Sequence, residues 1–291
     1  GSEMMAWIPP AVLQEKYPEC TTKEWLDSKY MSAWVRGRAR QNIGADLNAP
    51  HPYKPAYLFE TGIAPWVNFP VAGVIWYQGE SNSGRPHEYN ALMTNLINNW
   101  RELWEMPDMP FLLMQLPNYM EKHPQPTESG WAGIREAQLQ AFKNIPNTAL
   151  AVVYDIGEWN DIHPLDKKTM AERLFLGARK IVFGEKVTYS GPVYKDMKTD
   201  GNKIVITFTQ TGKGLAVRGG GKTLKHFAIA GADKKFVWAD AVIKGNTVVV
   251  SSPEVPNPVA VRYAWADNPD DANLINKDGL LASPFRTDDW K

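Results

Sequence analysis

The sequence predicts an α/β protein in which a parallel sheet with crossover helices precedes an antiparallel, β-rich region. Short apolar runs alternate with amphipathic helical patterns between residues 71 and 183. Beyond Gly184 the pattern changes to short strand-like segments separated by glycine-containing turns. The chain has 291 residues, of which 44% are hydrophobic, and this is enough for a packed core. We therefore expect a core domain at 1–184 and a β-sandwich-like accessory domain at 185–291.

Three apolar runs are typical of strands that are buried on both faces. They lie at residues 71–77 (VAGVIWY), 111–116 (FLLMQL) and 149–154 (ALAVVY). Apolar residues at helical spacing follow each run and predict helices at 89–104, 134–142 and 167–183. Asp166 precedes the last of these helices and is a suitable N-cap. Strands and helices that alternate in this way form parallel pairs through right-handed crossovers.

The loops after these three strands are the expected functional region. Parallel sheets bind ligands at the carboxyl ends of their strands, where the connecting loops share one rim. We therefore expect residues 78–83, Asn118 and residues 155–163 to lie near one another.

The region after Gly184 predicts antiparallel pairing, because short strands there are separated by tight turns such as Asp200-Gly201-Asn202. Strand candidates lie at residues 187–189, 203–209, 215–217, 227–230, 236–239, 247–251 and 259–263.

Composition excludes several classes of function. Lys and Arg together number 32, as do Asp and Glu, so no long-range field favours nucleic acid or an anionic membrane. The single cysteine, Cys20, rules out a disulfide within this chain and a cysteine-rich metal site. No apolar run is long enough to span a membrane, and no signal peptide is visible. The histidines show no metal-ligand spacing, so neither a metal nor a cofactor is expected.

Residues 155–164 (DIGEWNDIHP) concentrate carboxylates around one histidine between a predicted strand and a predicted helix. A serine hydrolase needs a histidine base, often with a carboxylate that orients the ring and stabilises the imidazolium. Asp161 and His163 are close enough to hydrogen-bond if the loop turns suitably. The alternative is a helix-entry loop with a solvated aspartate and an incidental histidine.

Residues 78–82 (QGESN) follow the first predicted strand. Glycine allows close approach of the backbone to a substrate, and Gln and Asn side chains carry N–H donors suited to an oxyanion. The alternative is an ordinary strand-to-helix loop with a capping serine or asparagine.

Several motifs, taken in order, resemble the sialate O-acetylesterase family. They begin with WYQGESN at 76–82 and include Tyr89, Trp100-Arg101, Trp104, REAQ at 135–138, DIHP at 161–164, Lys167-Lys168, VRYAW at 261–265 and SPFRTDDW at 283–290. The resemblance runs from about residue 55 to the end of the chain. It implies a flavodoxin-like three-layer α/β core of the SGNH hydrolase superfamily, present here in part.

The family resemblance implies hydrolysis of an acetyl ester on a sugar hydroxyl through an acetyl-serine intermediate. His163 matches the family's proton-shuttling histidine, and Asp161 is the nearest carboxylate to orient it. The general superfamily pattern has its aspartate three positions before the histidine, where this chain has Asn160, so a backbone carbonyl is an alternative partner. Gln78 and Gly79 match the block that helps build the oxyanion hole, and Glu80 is expected to brace the loop or contact sugar.

The family's nucleophile lies in a Gly-Gln-Ser-Asn-like block that this sequence lacks. Residues 1–7 (GSEMMAW) instead resemble a segment that follows the nucleophile in the family. We therefore expect an N-terminal fragment of the same protein to carry the serine. The alternative is Ser81, since Gly79-Glu80-Ser81 imitates a nucleophile block after a strand.

Two other functions remain open at this point. One is a non-catalytic glycan-binding module on the same scaffold, and the other is an acetylxylan esterase. The glycan substrates of the family imply an acetylated carbohydrate as the partner and a secreted or periplasmic location.

Overall fold

The computed structural model of the chain describes residues 1–22, 24–46 and 48–290. Within that part of the chain, the α-helices are α1 (Pro10–Lys16), α2 (Ala33–Ile43), α3 (Tyr57–Gly62), α4 (Pro86–Leu103), α5 (Gly130–Asn144) and α6 (Lys167–Ile181). The predicted cap of α6 is confirmed, because the side chain of Asp166 accepts a hydrogen bond from the Thr169 N–H at 2.9 Å. That bond also holds the pKa of Asp166 below its usual value.

A parallel sheet lies at the centre of the first part of the chain and confirms the predicted α/β class. Its strands are β1 (Val74–Trp76), β2 (Phe111–Met114) and β3 (Thr148–Ala151), in the order β1-β2-β3. Both pairings are parallel. The sequence places α4 and α5 between these strands, as crossovers require.

Successive side chains of the strands point to opposite faces of the sheet and pack into two separate layers. Phe111, Leu113 and Leu150 face α4 and α5 and join the main hydrophobic core. Leu112 and Ala149 face the opposite way and pack with residues of α6. The result is a helix–sheet–helix arrangement, which explains why each run appears continuously hydrophobic in sequence.

The prediction that residues 71–77 form a strand buried on both faces is wrong. The strand is limited to Val74–Trp76, and the side chain of Ile75 is 66% exposed. Only Trp76 of this strand is buried. The physical reason is position: β1 is an edge strand, and among the described residues no strand pairs with its outer side.

Antiparallel strands make up the last third of the described chain. They are β4 (Val193–Asp200), β5 (Lys203–Thr209), β6 (Leu215–Val217), β7 (Phe227–Ala230), β8 (Val237–Trp238), β9 (Asp240–Lys244), β10 (Thr247–Ser251), β11 (Ala260–Tyr263), β12 (Leu274–Asn276) and β13 (Phe285–Arg286). Two sheets have the orders β4-β5-β10-β9 and β13-β11-β7-β8, and β12 pairs with β6. The strand expected at 187–189 does not form.

The two larger antiparallel sheets share one core with the helical part of the molecule. Phe208 of β5 contacts Phe285 of β13 at 5.8 Å between ring centroids. The same hydrophobic cluster continues to Tyr154 beyond β3 and to Leu116 beyond β2. The division at residues 184 and 185 into a core and a β-sandwich-like domain stays a prediction.

The α-helices bear on whether the chain can cross a membrane, because a span needs about 20 mostly apolar residues. Across the described residues, none of them is long and apolar enough to cross a membrane.

Candidate active site

Three loops leave the carboxyl ends of the parallel strands and meet at one rim. The loop after β2 contacts the loop after β3, because the Gly157 N–H donates to Asn118 Oδ1 at 2.6 Å. The start of α6 contacts the end of β1, because Lys167 Nζ lies 5.4 Å from the centre of the Tyr77 ring. The structure therefore brings together the segments in which the sequence places its candidate residues.

Gly79 allows the first loop to pass directly over α5. Its φ of 154° is one that residues with a side chain rarely adopt. A Cβ at this position would lie 2.7 Å from Ile134 Cγ2. Within the described residues no acceptor takes the Gly79 N–H, and the residue itself is buried.

The Gln78 side chain is held in place by its neighbours. Its Nε2 donates to the Ser2 carbonyl at 3.0 Å and to Asn82 Oδ1 at 2.8 Å. Tyr89 Oη lies 2.6 Å from the Gln78 carbonyl oxygen and 3.1 Å from Oε1. The position of Gln78 is thus fixed, but both of its amide hydrogens already have acceptors.

Residues 1–7 lie against this same loop. Ser81 Oγ donates to the Gly1 carbonyl at 2.7 Å, and the Met4 N–H donates to Asn82 Oδ1 at 3.1 Å. In the described part of the chain, neither an imidazole nor a carboxylate lies within hydrogen-bond distance of Ser81 Oγ. Ser81 therefore lacks the neighbouring base that activates a serine nucleophile.

Glu80 is half-buried and lies beside Tyr77. Burial, followed by the negative charge of Glu80, raises the pKa of Tyr77 well above its usual value. Tyr77 is therefore a neutral wall of the rim, and Glu80 adds negative potential to it.

His163 lies on an open loop, with 83% of its side chain exposed. Asp161 Oδ1 accepts a hydrogen bond from the backbone N–H of His163 at 2.8 Å and lies 3.9 Å from ring atom Nδ1. A hydrogen bond to the ring would be nearer 3 Å. In this structure Asp161 therefore turns the loop, and the imidazole is free to reach a substrate.

The other carboxylates of this loop have structural partners. Asp155 accepts from both terminal nitrogens of Arg173, at 2.6 and 3.0 Å, and from Arg218 at 2.9 Å. Glu158 accepts from the Leu165 N–H at 3.3 Å. Among the described residues, Asp161 is the carboxylate within ion-pair distance of the His163 ring.

Arg135, which the sequence suggests forms a structural pair with Glu136 or a helix-end contact, binds other partners. It is fully buried and donates to the carbonyls of Leu116 and Pro117 and to those of Ala266 and Asp267. Burial lowers its pKa to about 9. Its partners are backbone carbonyls, so the signal available in sequence was limited to its place in the REAQ motif.

Two tryptophans near the rim differ in their roles. Trp131 is buried and donates from Nε1 to the Pro117 carbonyl at 2.8 Å, so it is part of the core. Trp159 is 57% exposed and lies in the loop that carries His163. Trp159 is therefore the one of the two that a sugar ring could stack on.

The described residues contain no group of three or more His, Cys, Asp or Glu placed to hold a metal ion. His51 is buried and interacts with Asn42 and the Tyr53 N–H, whereas His87 is 76% exposed.

Comparison with known proteins places this rim in a defined family. The family model for sialic acid-specific acetylesterases, a group of carbohydrate esterases, matches residues 58–173. That segment covers all three parallel strands and ends within α6.

Full-length relatives extend the match along the chain. The human sialate O-acetylesterase is 31% identical over 271 residues, which cover 82% of this chain and 50% of the relative. The mouse sialate O-acetylesterase is 30% identical over 240 residues, covering 75% of this chain and 44% of the relative. The chain spans about half the length of the curated relatives it matches.

A crystal structure of a carbohydrate acetylesterase from Xanthomonas citri is similar over the whole chain. The TM-score is 0.81 at 39% sequence identity, and the match covers 100% of this chain and 59% of that protein. The family model, the relatives and the solved structure point to the same family. The motifs at the rim indicate that family too. The chain belongs to the sialate O-acetylesterase family of carbohydrate esterases.

Proposed function

We propose that this chain is the histidine-bearing part of a carbohydrate O-acetylesterase that removes acetyl groups from O-acetylated sialic acid or a related glycan. The observation that carries the proposal is the shared rim, where the QGES loop, Asn118 and the DIHP loop lie at the carboxyl ends of three parallel strands. The sialate O-acetylesterases that this chain resembles act, by their names, on such substrates.

In the proposed mechanism a serine attacks the acetyl carbonyl, and His163 accepts the proton of its hydroxyl. His163 then gives that proton to the departing sugar oxygen, and water releases acetate from the acetyl-serine in a second cycle. The N–H of Gly79, which has no acceptor among the described residues, is our candidate to stabilise the oxyanion. Gln78 contributes a second donor if substrate displaces the Ser2 carbonyl from its amide.

The serine is proposed to come from an N-terminal segment of the same protein. In the part of the chain that the structure describes, no strand pairs with the outer edge of β1 beside the exposed Ile75, so a further strand can pair there. If it runs parallel to β1, as the other strands of the sheet do, such a strand ends at the same rim as the QGES loop. The contacts of Ser81, which join it to Gly1 rather than to a base, favour this arrangement over Ser81 as nucleophile.

Acetate release by the complete gene product tests the proposal. We expect O-acetylated N-acetylneuraminic acid to be hydrolysed, and His163→Ala to lower kcat by about a thousandfold or more, as loss of a triad histidine does. His87→Ala is the matched control, because His87 is similarly exposed but lies on α4. Unchanged activity of His163→Ala would remove the histidine from the mechanism.

Asp161→Asn measures the role of the neighbouring carboxylate. If Asp161 stabilises the imidazolium, kcat falls with little change in KM. If it only turns the loop, Asn keeps the backbone hydrogen bond and activity stays near the wild type. Side-by-side assays on acetylxylan and acetylated sialic acid decide which ester is preferred.

A non-catalytic glycan-binding module is the second candidate, favoured because no described residue places a base beside Ser81 and because His163 is exposed. It predicts binding of acetylated sugar without acetate release by the complete gene product. A secreted or periplasmic location fits either candidate, because acetylated glycans are found outside the cytoplasm, and cell fractionation tests it.

A further inference from the structure

Two small cavities lie side by side between the loop after β2 and the sheet that contains β7, β8 and β11. Their volumes are about 180 and 220 Å³. We call their shared space the aromatic cavity. The residues that line both are Pro126, Thr127, His226, Trp238 and Trp265. None of the candidate catalytic residues lines either cavity, so this is a separate feature of the molecule.

Two polar atoms of the lining residues have no hydrogen-bond partner. They are His226 Nδ1 and Trp265 Nε1, and both are inaccessible. Trp265 is only 8% exposed as a residue. His226 Nε2 lies 2.6 Å from Asp271 Oδ1, so Nδ1 is the ring nitrogen that has no partner. Two polar atoms are therefore unsatisfied here, although buried polar groups are almost always paired.

Hydroxyl groups of a ligand match both atoms in kind, because a hydroxyl accepts from the Trp265 N–H and can either donate to His226 Nδ1 or accept from it. The unpaired atoms are therefore suited to a hydroxyl-bearing ligand.

Most charged groups around the aromatic cavity are paired with one another, and the exception is Lys234, whose Nζ lies 5.5 Å from the centre of the Trp290 ring. Arg262 binds Glu128 at 2.6 Å and Asp288 at 2.9 Å. Its guanidinium also lies 4.2 Å from the centre of the Phe236 ring. Asp271 is bound by Lys225 at 3.1 Å as well as by His226. Because little unpaired charge remains, the surroundings also favour a neutral ligand.

The aromatic wall is held rigidly. Trp238 donates from Nε1 to the Pro124 carbonyl at 2.8 Å, and its ring lies 5.5 Å from that of His226. A fixed indole presents a large apolar face, and the C–H face of a pyranose ring packs well on such a surface. We propose that the aromatic cavity is a second carbohydrate subsite that binds a neutral sugar unit.

The cavity is connected to the candidate active site through the loop after β2. Asn268 lines the larger cavity and accepts from Asn118 Nδ2 at 3.0 Å. The Met120 N–H donates to the Trp159 carbonyl at 2.8 Å, in the loop that carries His163. One glycan can therefore occupy the rim with its acetylated unit and the cavity with a neutral unit. This last step rests on the proposed function, whereas the binding of a neutral sugar does not.

Lactose, a neutral disaccharide, is the probe for the test. In ¹H–¹⁵N spectra of the chain, we expect lactose to shift the indole N–H signals of Trp238 and Trp265, assigned by single Trp→Phe variants. Free N-acetylneuraminic acid is the anionic comparison. Shifts confined to other indoles, binding of the anionic sugar alone, or no binding of lactose at millimolar concentration would each overturn the proposal.

Variants add a second readout. Trp238→Ala is expected to weaken lactose binding about tenfold, which corresponds to about 1.4 kcal/mol, while Trp238→Phe keeps an aromatic face and most of the affinity. Trp34→Ala is the matched control, because Trp34 is 60% exposed and lies on α2. Equal affinity of Trp238→Ala and wild type contradicts the subsite. His163→Ala should bind lactose normally, so loss of esterase activity and loss of this subsite are separate outcomes.

Discussion

The parallel sheet has two edge strands, and they have opposite surroundings. All four residues of β3 are buried, and only about 10 Å³ of space remains between its end and residues 189–191 and 280–281. Only one residue of β1 is buried, and Ile75 in its middle is 66% exposed. The antiparallel region thus closes one edge of the sheet and leaves the other open. The open β1 edge is the side from which we propose that a further strand completes the candidate site.

On the closed side of the sheet, substitution of Arg135 should have the largest effect on stability. This side chain joins the end of β2 to residues 266 and 267. Arg135→Met leaves several carbonyls without a donor, and we expect the free energy of unfolding to fall by about 4 kcal/mol. Urea denaturation measures this change. Arg38→Met is the control on an exposed helical residue and should change stability by less than about 0.5 kcal/mol.

Gly191 tests how tightly the closed edge is packed. A Cβ at this position would lie 1.9 Å from the Leu281 carbonyl oxygen. Gly191→Ala should therefore destabilise the fold by about 2 kcal/mol. Gly37→Ala is the matched control, because nothing lies within 4 Å of its added Cβ, and helix propensity predicts a gain of about 0.5 to 1 kcal/mol. Similar thermal unfolding of the two variants would contradict tight closure of this edge.

Because of Glu136, on the closed side of the sheet, the stability of the chain should depend on pH. Burial raises the pKa of Glu136, and its Oε2 has no hydrogen-bond partner. The folded state then holds the proton more tightly than the unfolded state, so this residue's contribution to stability falls as pH rises from about 4 to the raised pKa. Glu136→Gln should remove this loss and add about 1 kcal/mol at pH 7.

The same variant should give little gain at pH 4, where the carboxyl is protonated in the folded state. Glu102→Gln, on an exposed position of α4, is the control. A stability gain for Glu136→Gln that does not depend on pH would show that titration is not its cause.

Substitution of Ile75 should have the smallest effect on the stability of this chain by itself. Ile75→Lys should change the free energy of unfolding by less than about 0.5 kcal/mol, because the side chain is largely exposed. It should nevertheless weaken acetate release by the complete gene product, because a charge in the middle of the edge opposes pairing with another strand. A large loss of stability in this chain alone would mean that the β1 edge is not open.

The sequence was sufficient to predict the parallel sheet, its rim and the Asp166 cap, because these depend on local periodicity and short-range capping. It could not distinguish β1 from β3, since VIW and TALA are both apolar and their burial depends on what lies beside them. The strand β4 was missed because VYKDMKTD is mostly exposed and lacks a regular alternation. The role of Arg135 was also hidden, because its acceptors at residues 266 and 267 are distant in the chain.

We propose that this chain supplies His163 to a site whose serine is provided from outside it. The most direct measurement is acetate release from O-acetylated N-acetylneuraminic acid by this chain alone and after addition of the N-terminal segment of the gene product. We predict no release by the chain alone, release by the mixture, and loss of that release with His163→Ala. Release by the chain alone that disappears with Ser81→Ala would contradict the claim.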